Sequence, residues 1–251
     1  MDSHMTLRDH RNRRRSVHLR RPEGALSVRR FSVARGANNP DFDAVVIGAG
    51  VTGIYQTYLL DKLGLSVLGI EAGKDVGGTW YWNRYPGCRL DTESYAYGYF
   101  AMIGIIPEWE WKENFAGQPE MLRYVNLAAD RMDVRRLYRF STRVTAAHYI
   151  EEGNVWEIRL DNGEVLTCRY LISATGPLSA SRMPDYKGID RFKGEAFHSS
   201  RWPTEADGSP KNIDYSGKRV GVIGTGATGV QIIPIVAESA KELFVFQRTP
   251  N

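Results

Sequence analysis

Two glycine clusters, each set between an apolar run and a segment of helical character, constrain this chain more than any other feature. The first is Gly48, Gly50 and Gly53, which follows the run DAVVIG from Asp43. The second is Gly224, Gly226 and Gly229, far downstream, which follows KRVGVIG from Lys218. A lone GxGxxG is a weak signal, but between a strand and a helix the spacing acquires a physical meaning. The first glycine permits the tight turn, and the second lets the backbone approach a pyrophosphate. The third allows close helix–strand packing, and the helix N-terminus faces the phosphate charge. A glycine-rich turn without a ligand is the plainer alternative. Both clusters predict a βαβ unit. DAVVIG reads as a buried parallel strand and Val51 to Leu63 as a helix with Ile54, Tyr58 and Leu59 on its inner face. Gly64 closes that helix, and LSVLGIE reads as the next strand.

The two units differ where the second strand ends. Glu71 closes LSVLGIE at the distance beyond Gly50 where a carboxylate binds ribose hydroxyls. In the second unit LFVFQR ends in Gln247 and Arg248 with no acid at that place, and Arg248 stands at nearly the same distance from Gly226. A guanidinium pairs bidentately with the 2′-phosphate of NADP, although Arg248 as a plain surface cation is the alternative. The contrast assigns FAD to the first unit and NADP(H) to the second. The fold class that follows is α/β, a Rossmann-like flavoprotein with two dinucleotide-binding domains, of which the second is truncated.

Between the units, residues 80–117 are rich in Trp, Tyr, Gly and Pro without clean periodicity, which in a compact protein usually marks a functional segment. A helix is expected from about Pro119 to Met132. Three alternating runs, STRVTAAHYI, VWEIRLDNG and CRYLISATG, read as a small β-meander returning to a buried strand, with a hairpin at Asp161 to Gly163. The expected divisions are a tail over 1–40, an FAD domain with meander over 41–176, a linker over 177–213, and the start of an NADP domain over 214–251.

Composition is that of a globular chain, 42% hydrophobic and 25% charged, with no apolar run long enough for a membrane span. The net charge of +4 is deceptive. Residues 1–36 hold ten arginines against Asp2, Asp9 and Glu23, a local +7 that leaves −3 for the remainder. Nucleic-acid binding by the folded body is therefore not indicated. The Arg- and Ser-rich tail is expected to be disordered, and its composition suits either a transit peptide or a solvated basic arm. Cys88 and Cys168 lie far apart in the sequence, without metal-type spacing. Two free thiols in a reducing compartment, a cytoplasmic setting and no metal are therefore expected.

Three further segments carry a family resemblance. FKGEAFHSSRWP, with Phe192, Gly194, His198, Trp202 and Pro203, matches the FxGxxxHxxxW(P/D) fingerprint of type I Baeyer–Villiger monooxygenases. GGTWYWNRYPGCRLDTES, from Gly77 to Ser94, is similar to the segment lining the flavin in that family, the phenylacetone and cyclohexanone monooxygenases among them. The ATG at Ala174 to Gly176 resembles the crossing turn of flavoproteins with two dinucleotide domains. Read from its own chemistry, His198 suits a loop histidine bonded to backbone; the resemblance adds a role in linking the domains. Asp91 could cap a helix start. The resemblance instead places it beside the flavin as a catalytic residue, orienting an arginine that stabilises a C4a-peroxyflavin anion. It implies that Gly48, Gly50, Thr52, Gly53, Glu71, Gly78, Thr79, Trp80, Asp91, Tyr97 and Val144 touch FAD. It likewise implies that Thr225, Gly226, Ala227, Thr228, Gly229, Gln231, Arg248 and Thr249 touch NADP.

The reaction implied is NADPH- and O2-dependent oxygen insertion beside a ketone carbonyl, giving an ester or lactone. An N- or S-oxygenating flavin monooxygenase and a non-catalytic flavin-binding subunit are the alternatives. The family's arginine would fall beyond Asn251, so the chain by itself is expected to be inactive toward ketones. The apolar edges Val220–Ile223 and Leu243–Phe246 are expected to lie open.

Overall fold

DAVVI forms a strand, β1 (Phe42–Ile47), and the second apolar run forms β2 (Val67–Ile70). Between them runs α1 (Val51–Lys62), closed by Gly64 at φ +81°. β1 and β2 pair in parallel, Ala44 with Val67 through Ile47 with Ile70, so the first βαβ unit stands as expected. The computed structural model describes residues 39–99, 109–206 and 208–249, and the expectations for the Arg-rich tail fall outside them.

The inner face of α1 is rotated from the one expected. Gly53, Ile54 and Thr57 are buried, Tyr58 is half-buried, and Leu59 faces solvent. The helix approaches the sheet through a glycine and a threonine, so its closest line of contact runs along small residues and Leu59 swings outward.

After α1 and β2 come the single-turn helix α2 (Thr79–Trp82), a 3-10 turn over Ser94–Tyr97 and helix α3 (Gln118–Arg131). Pro119 sits in the first turn of α3, where its missing N–H costs nothing. Strands β3 (Tyr138–Arg139), β4 (Val144–Ile150), β5 (Val155–Leu160) and β6 (Val165–Ser173) follow. They join one six-stranded sheet in the order β3-β2-β1-β6-β5-β4. Its first four strands are parallel, and β5 and β4 continue it antiparallel. The meander is thus the extended edge of the first sheet. β6 belongs to both parts, pairing β1 on one side and β5 on the other. Asp161–Gly163 makes the expected hairpin, with Gly163 at φ +87° and its amide donating to the Leu160 carbonyl.

Both faces of the parallel strands are covered, as parallel sheets require. Along β1, Val45 packs with Leu68, Ile70, Ile158, Leu166 and Cys168, whereas Ala44 and Val46 pack with Val67 on the other side. The largest cluster gathers Ile54 of α1, Met121, Tyr124 and Val125 of α3, and Trp80, Tyr85 and Cys88 of the aromatic segment. Each such side chain, fully buried, contributes about 1.5–3 kcal/mol of transfer free energy. Cys88 and Cys168 are free thiols in separate clusters.

The second unit contains β7 (Arg219–Ile223), α4 (Ala227–Ala237) and β8 (Glu242–Phe246), with β7 and β8 parallel. Ile232 and Val236 of α4 are buried in the largest cluster, so the helix is docked on the first unit. The apolar edges are open only in part: Ile223 and Phe246 are more than half exposed and Phe244 and Val245 about two fifths, whereas Val220, Val222 and Leu243 pack, partly buried, against the largest cluster. Among the described residues no helix is long and apolar enough to cross a membrane.

Candidate functional site

The two glycine turns have the same internal architecture. Gly48 and Gly224 both take left-handed backbone, at φ +105° and +101°, a conformation that costs a glycine little. Gly50 and Gly226 are the extended N-caps of α1 and α4. A Cβ on Gly53 or Gly229 would be driven into the carbonyl oxygen of Gly48 or Gly224, so the third glycine permits the helix to lie against the turn. In each unit the first glycine donates its amide to the last residue of the next strand: Gly48 to Ile70 O at 2.8 Å and Gly224 to Phe246 O at 2.9 Å.

That last bond fixes which residues correspond. The residue after Ile70 is Glu71, and the residue after Phe246 is Gln247, so Gln247 stands where Glu71 does and Arg248 stands one further on. Glu71 is buried. Its Oε2 accepts from the Ala49 amide at 2.7 Å and its Oε1 from the Gly73 amide at 2.6 Å, which locks the carboxylate across the mouth of the first turn. Gln247, Arg248 and Thr249 are exposed. A fixed carboxylate repels a 2′-phosphate, whereas a neutral amide next to a guanidinium admits one.

The residues present fit the diphosphate of a dinucleotide. In α1 the first intrahelical bond is Ile54 N to Gly50 O, which leaves the preceding helical amides outside the ladder; no side chain caps the helix and no acid lies in its first turn. Facing this terminus is Gly78, at φ +54°, so close to Gly50 that a Cβ on either would fill the space between them. Thr52 is exposed on the first turn of α1, and Thr79 and Trp80 continue from Gly78 into α2. The Trp80 indole N–H is buried and, among the described residues, without an acceptor; its ring meets Tyr97 edge-on at 5.9 Å. Val144 reaches the same end of the sheet because the Thr142 amide donates to Glu71 O at 3.0 Å. In the second unit the corresponding first bond is Val230 N to Gly226 O, again without a side-chain cap or an acid in the first turn.

The aromatic segment divides its residues between packing and rim. Trp80 and Tyr85 are core, whereas Tyr81 and Trp82 are half-exposed, with the Arg201 guanidinium 4.7 Å from the Trp82 ring centroid. Asp91 is exposed and does not cap the 3-10 turn that follows, whose N-cap is Glu93. Burial pushes the Tyr85 hydroxyl up to about 12 and the Cys88 thiol up to about 11, so both are neutral at pH 7.

His198 has the backbone role. Its Nδ1 accepts from the Ser200 amide at 3.2 Å and lies 2.8 Å from Ser200 Oγ, capping the turn Ser199–Arg201. Trp202 is buried edge-on against Phe197 at 4.9 Å and donates its indole N–H to Lys211 O, while Pro203 O accepts from the Lys211 amide. Phe192 is exposed and lies so close over Gly194 that a Cβ there would meet its ring.

Gln231, expected at the nucleotide, is bonded in this structure to the first unit. Its Oε1 accepts from the Tyr85 hydroxyl at 2.9 Å and from the Arg89 amide at 3.3 Å, and its Nε2 donates to Arg89 O at 3.1 Å. Gln231 stands two residues past Gly229, on the face of α4 that docks against the first unit.

Tyr138 has no place among the sequence-derived site residues, yet it supports the first turn. Its hydroxyl donates to Gly48 O at 3.2 Å and lies 3.0 Å from Thr57 Oγ1, and burial pushes it upward so that it stays a donor. The available signal was Gly69, an odd residue in the middle of β2; a Cβ there would enter the Tyr138 ring.

Residues 46–100 match the family model of the NAD(P)-binding Rossmann-like domain. The 2-oxo-Delta(3)-4,5,5-trimethylcyclopentenylacetyl-CoA monooxygenase of Pseudomonas putida is 79% identical over 215 residues, 86% of this chain and 39% of the relative. A Baeyer–Villiger monooxygenase of Pseudooceanicola batsensis is 49% identical over 210 residues, 83% of this chain and 37% of the relative. The chain is homologous to the Baeyer–Villiger monooxygenases. It spans about two fifths of the length of the relatives it matches. A solved structure of OTEMO in complex with FAD and NADP shares 79% identity and superposes with a TM-score of 0.81, covering 84% of this Baeyer–Villiger homologue and 40% of that chain.

Proposed function

We propose that this chain forms the FAD- and NADPH-binding part of a Baeyer–Villiger monooxygenase, which inserts one oxygen atom of O2 beside a ketone carbonyl to give an ester or lactone. One observation carries the reading: two glycine turns of the same geometry differ at their outer residue. A buried, doubly bonded Glu71 faces one, and exposed Gln247 and Arg248 face the other. A ribose diol suits the first, and a 2′-phosphate suits the second. The homology to a relative named as a Baeyer–Villiger monooxygenase supports the substrate class, and the solved complex with FAD and NADP supports the cofactor pair.

On this reading the FAD unit spans residues 41–176, the fingerprint lies in the linker 177–213, and the NADP unit begins at 214. When bound, the flavin supplies the redox and oxygen chemistry, reduced by the nicotinamide. The protein's own residues bind and orient. Gly48, Gly50, Gly53 and Gly78 shape the cradle for one diphosphate, with Thr52 and Thr79 at its rim and Glu71 for the ribose. Trp80, Tyr97 and Val144 wall the pocket. Gly224, Gly226 and Gly229, with Thr225, Ala227 and Thr228, form the second cradle, and Arg248 and Thr249 flank the 2′-phosphate. Asp91 stands exposed within the aromatic segment, where it would orient a cation supplied from outside that segment.

The test supplies the protein in its full cellular form with FAD, NADPH, 18O2 and a cyclic ketone. NADPH consumption that depends on ketone, with one 18O atom in a lactone product, is the expected result. Uncoupled NADPH oxidation with the ketone, together with oxygenation of a thioether or amine, would replace the reading with an S- or N-oxygenase.

A further inference from the structure

Helix α4 begins at the second glycine turn and meets the turn Tyr85–Arg89 of the first unit, just before Asp91. At that seam Gln231 uses both acceptor positions of Oε1, on the Tyr85 hydroxyl and the Arg89 amide, and one N–H of Nε2, on Arg89 O. The backbones meet as closely as the side chains. Gly87 has φ +78°, and a Cβ there would press against the Gln231 carbonyl oxygen. Thr228, in the first turn of α4, lies near the same Tyr85 hydroxyl, so the seam adjoins the nucleotide turn itself. Ile232 and Val236 bury the adjoining face of the helix.

We infer that Gln231 is a positioning residue that fastens α4 to the Tyr85–Arg89 turn. It thereby holds the second glycine turn and the loop carrying Asp91 in one register. No nucleotide contact is needed for this, and the polar atoms Gln231 uses here are directed at the first unit. Its consequence for a nicotinamide at the second turn rests on the function proposed above; the latch itself does not.

The Arg89 amide gives a local readout, because Gln231 is its acceptor, whereas its neighbours bond elsewhere: Leu90 N to Ala116 O and Gln118 N to Cys88 O. Amide hydrogen exchange resolved by NMR, on wild type, Gln231→Ala and Gln231→Glu, tests the inference without ligand. Gln231→Ala is expected to speed exchange at Arg89 by about tenfold, the loss of one hydrogen bond, with Leu90 and Gln118 unchanged. Gln231→Glu keeps both acceptor bonds and is expected to restore most of the protection. Unchanged exchange at Arg89 in Gln231→Ala overturns the latch. Equal acceleration at Leu90 and Gln118 also overturns it, because it shows general loosening.

Adding NADP+ separates the two proposals. In wild type it is expected to slow exchange at Ala227, Thr228 and Arg89; in Gln231→Ala only Ala227 and Thr228 should respond. Slowing at Arg89 in the variant refutes the coupling, and loss of NADP+ binding in it makes Gln231 a nucleotide contact instead. No response at Ala227 in wild type defeats the NADP reading, while the ligand-free comparison still decides the latch.

Discussion

Glu71 does structural and recognition work with one carboxylate. It bonds two buried amides, of Ala49 and Gly73, which no other acceptor satisfies among the described residues. Glu71→Ala should therefore lower stability by about 2–4 kcal/mol, the cost of leaving two buried donors unpaired. Urea unfolding measures this, and a change below about 0.5 kcal/mol would show that the amides find other partners. The buried thiols make a second residue-scale expectation. Cys88 and Cys168 are both raised by burial from an ordinary 9.0 to about 11. A raised folded value means that the native state holds its proton more tightly than the unfolded chain. The associated stability is intact below pH 9 and is lost as pH climbs toward 11. The urea midpoint should fall between about pH 8.5 and 10.5, and fall less in Cys168→Ala than in wild type; a midpoint flat across that window would contradict it.

Among the elements, the strand–glycine–helix units were legible because their determinants are local: an apolar run, a left-handed glycine and a helix without a cap. The hairpin at Asp161–Gly163 was legible for the same reason. What the sequence did not yield depends on residues far apart along the chain. The Tyr138 support beneath Gly48 joins β3 to the first turn across 90 residues, and β6 joins the meander to β1. Gln231 reaches Arg89 across 142 residues, and no pattern local to either end encodes that meeting. The outward turn of Leu59 follows from the same limit, since which face of α1 is inner depends on how closely Gly53 and Thr57 approach the sheet. The Tyr138 support yields a test. Tyr138→Phe keeps the ring against Gly69 but removes the bond to Gly48 O, and should cost about 1–2 kcal/mol. Gly69→Val forces a side chain into that ring and should cost more, about 2–4 kcal/mol. Thermal or urea unfolding of the pair checks the order, and a smaller loss for Gly69→Val would reverse the assignment.

At the scale of the whole molecule, two copies of one turn stand on a shared core, and the residues just after the following strand distinguish them. Glu71 faces the first, and Gln247 with Arg248 faces the second; on the function proposed above the first takes FAD and the second NADP(H). The exposed apolar surface of Ile223, Phe244, Val245 and Phe246 lies on the second copy, whereas the first is covered on both faces. The two copies therefore differ in burial although their turns agree in geometry. The direct test of the pairing is a titration of wild type and Arg248→Ala with FAD, NADP+ and NAD+. Wild type should bind FAD and should prefer NADP+ to NAD+ by about tenfold or more, the worth of a charge-assisted pair. Arg248→Ala should erase that preference and leave FAD binding unchanged. Equal affinity of wild type for NADP+ and NAD+, or a preference that survives Arg248→Ala, would contradict the assignment.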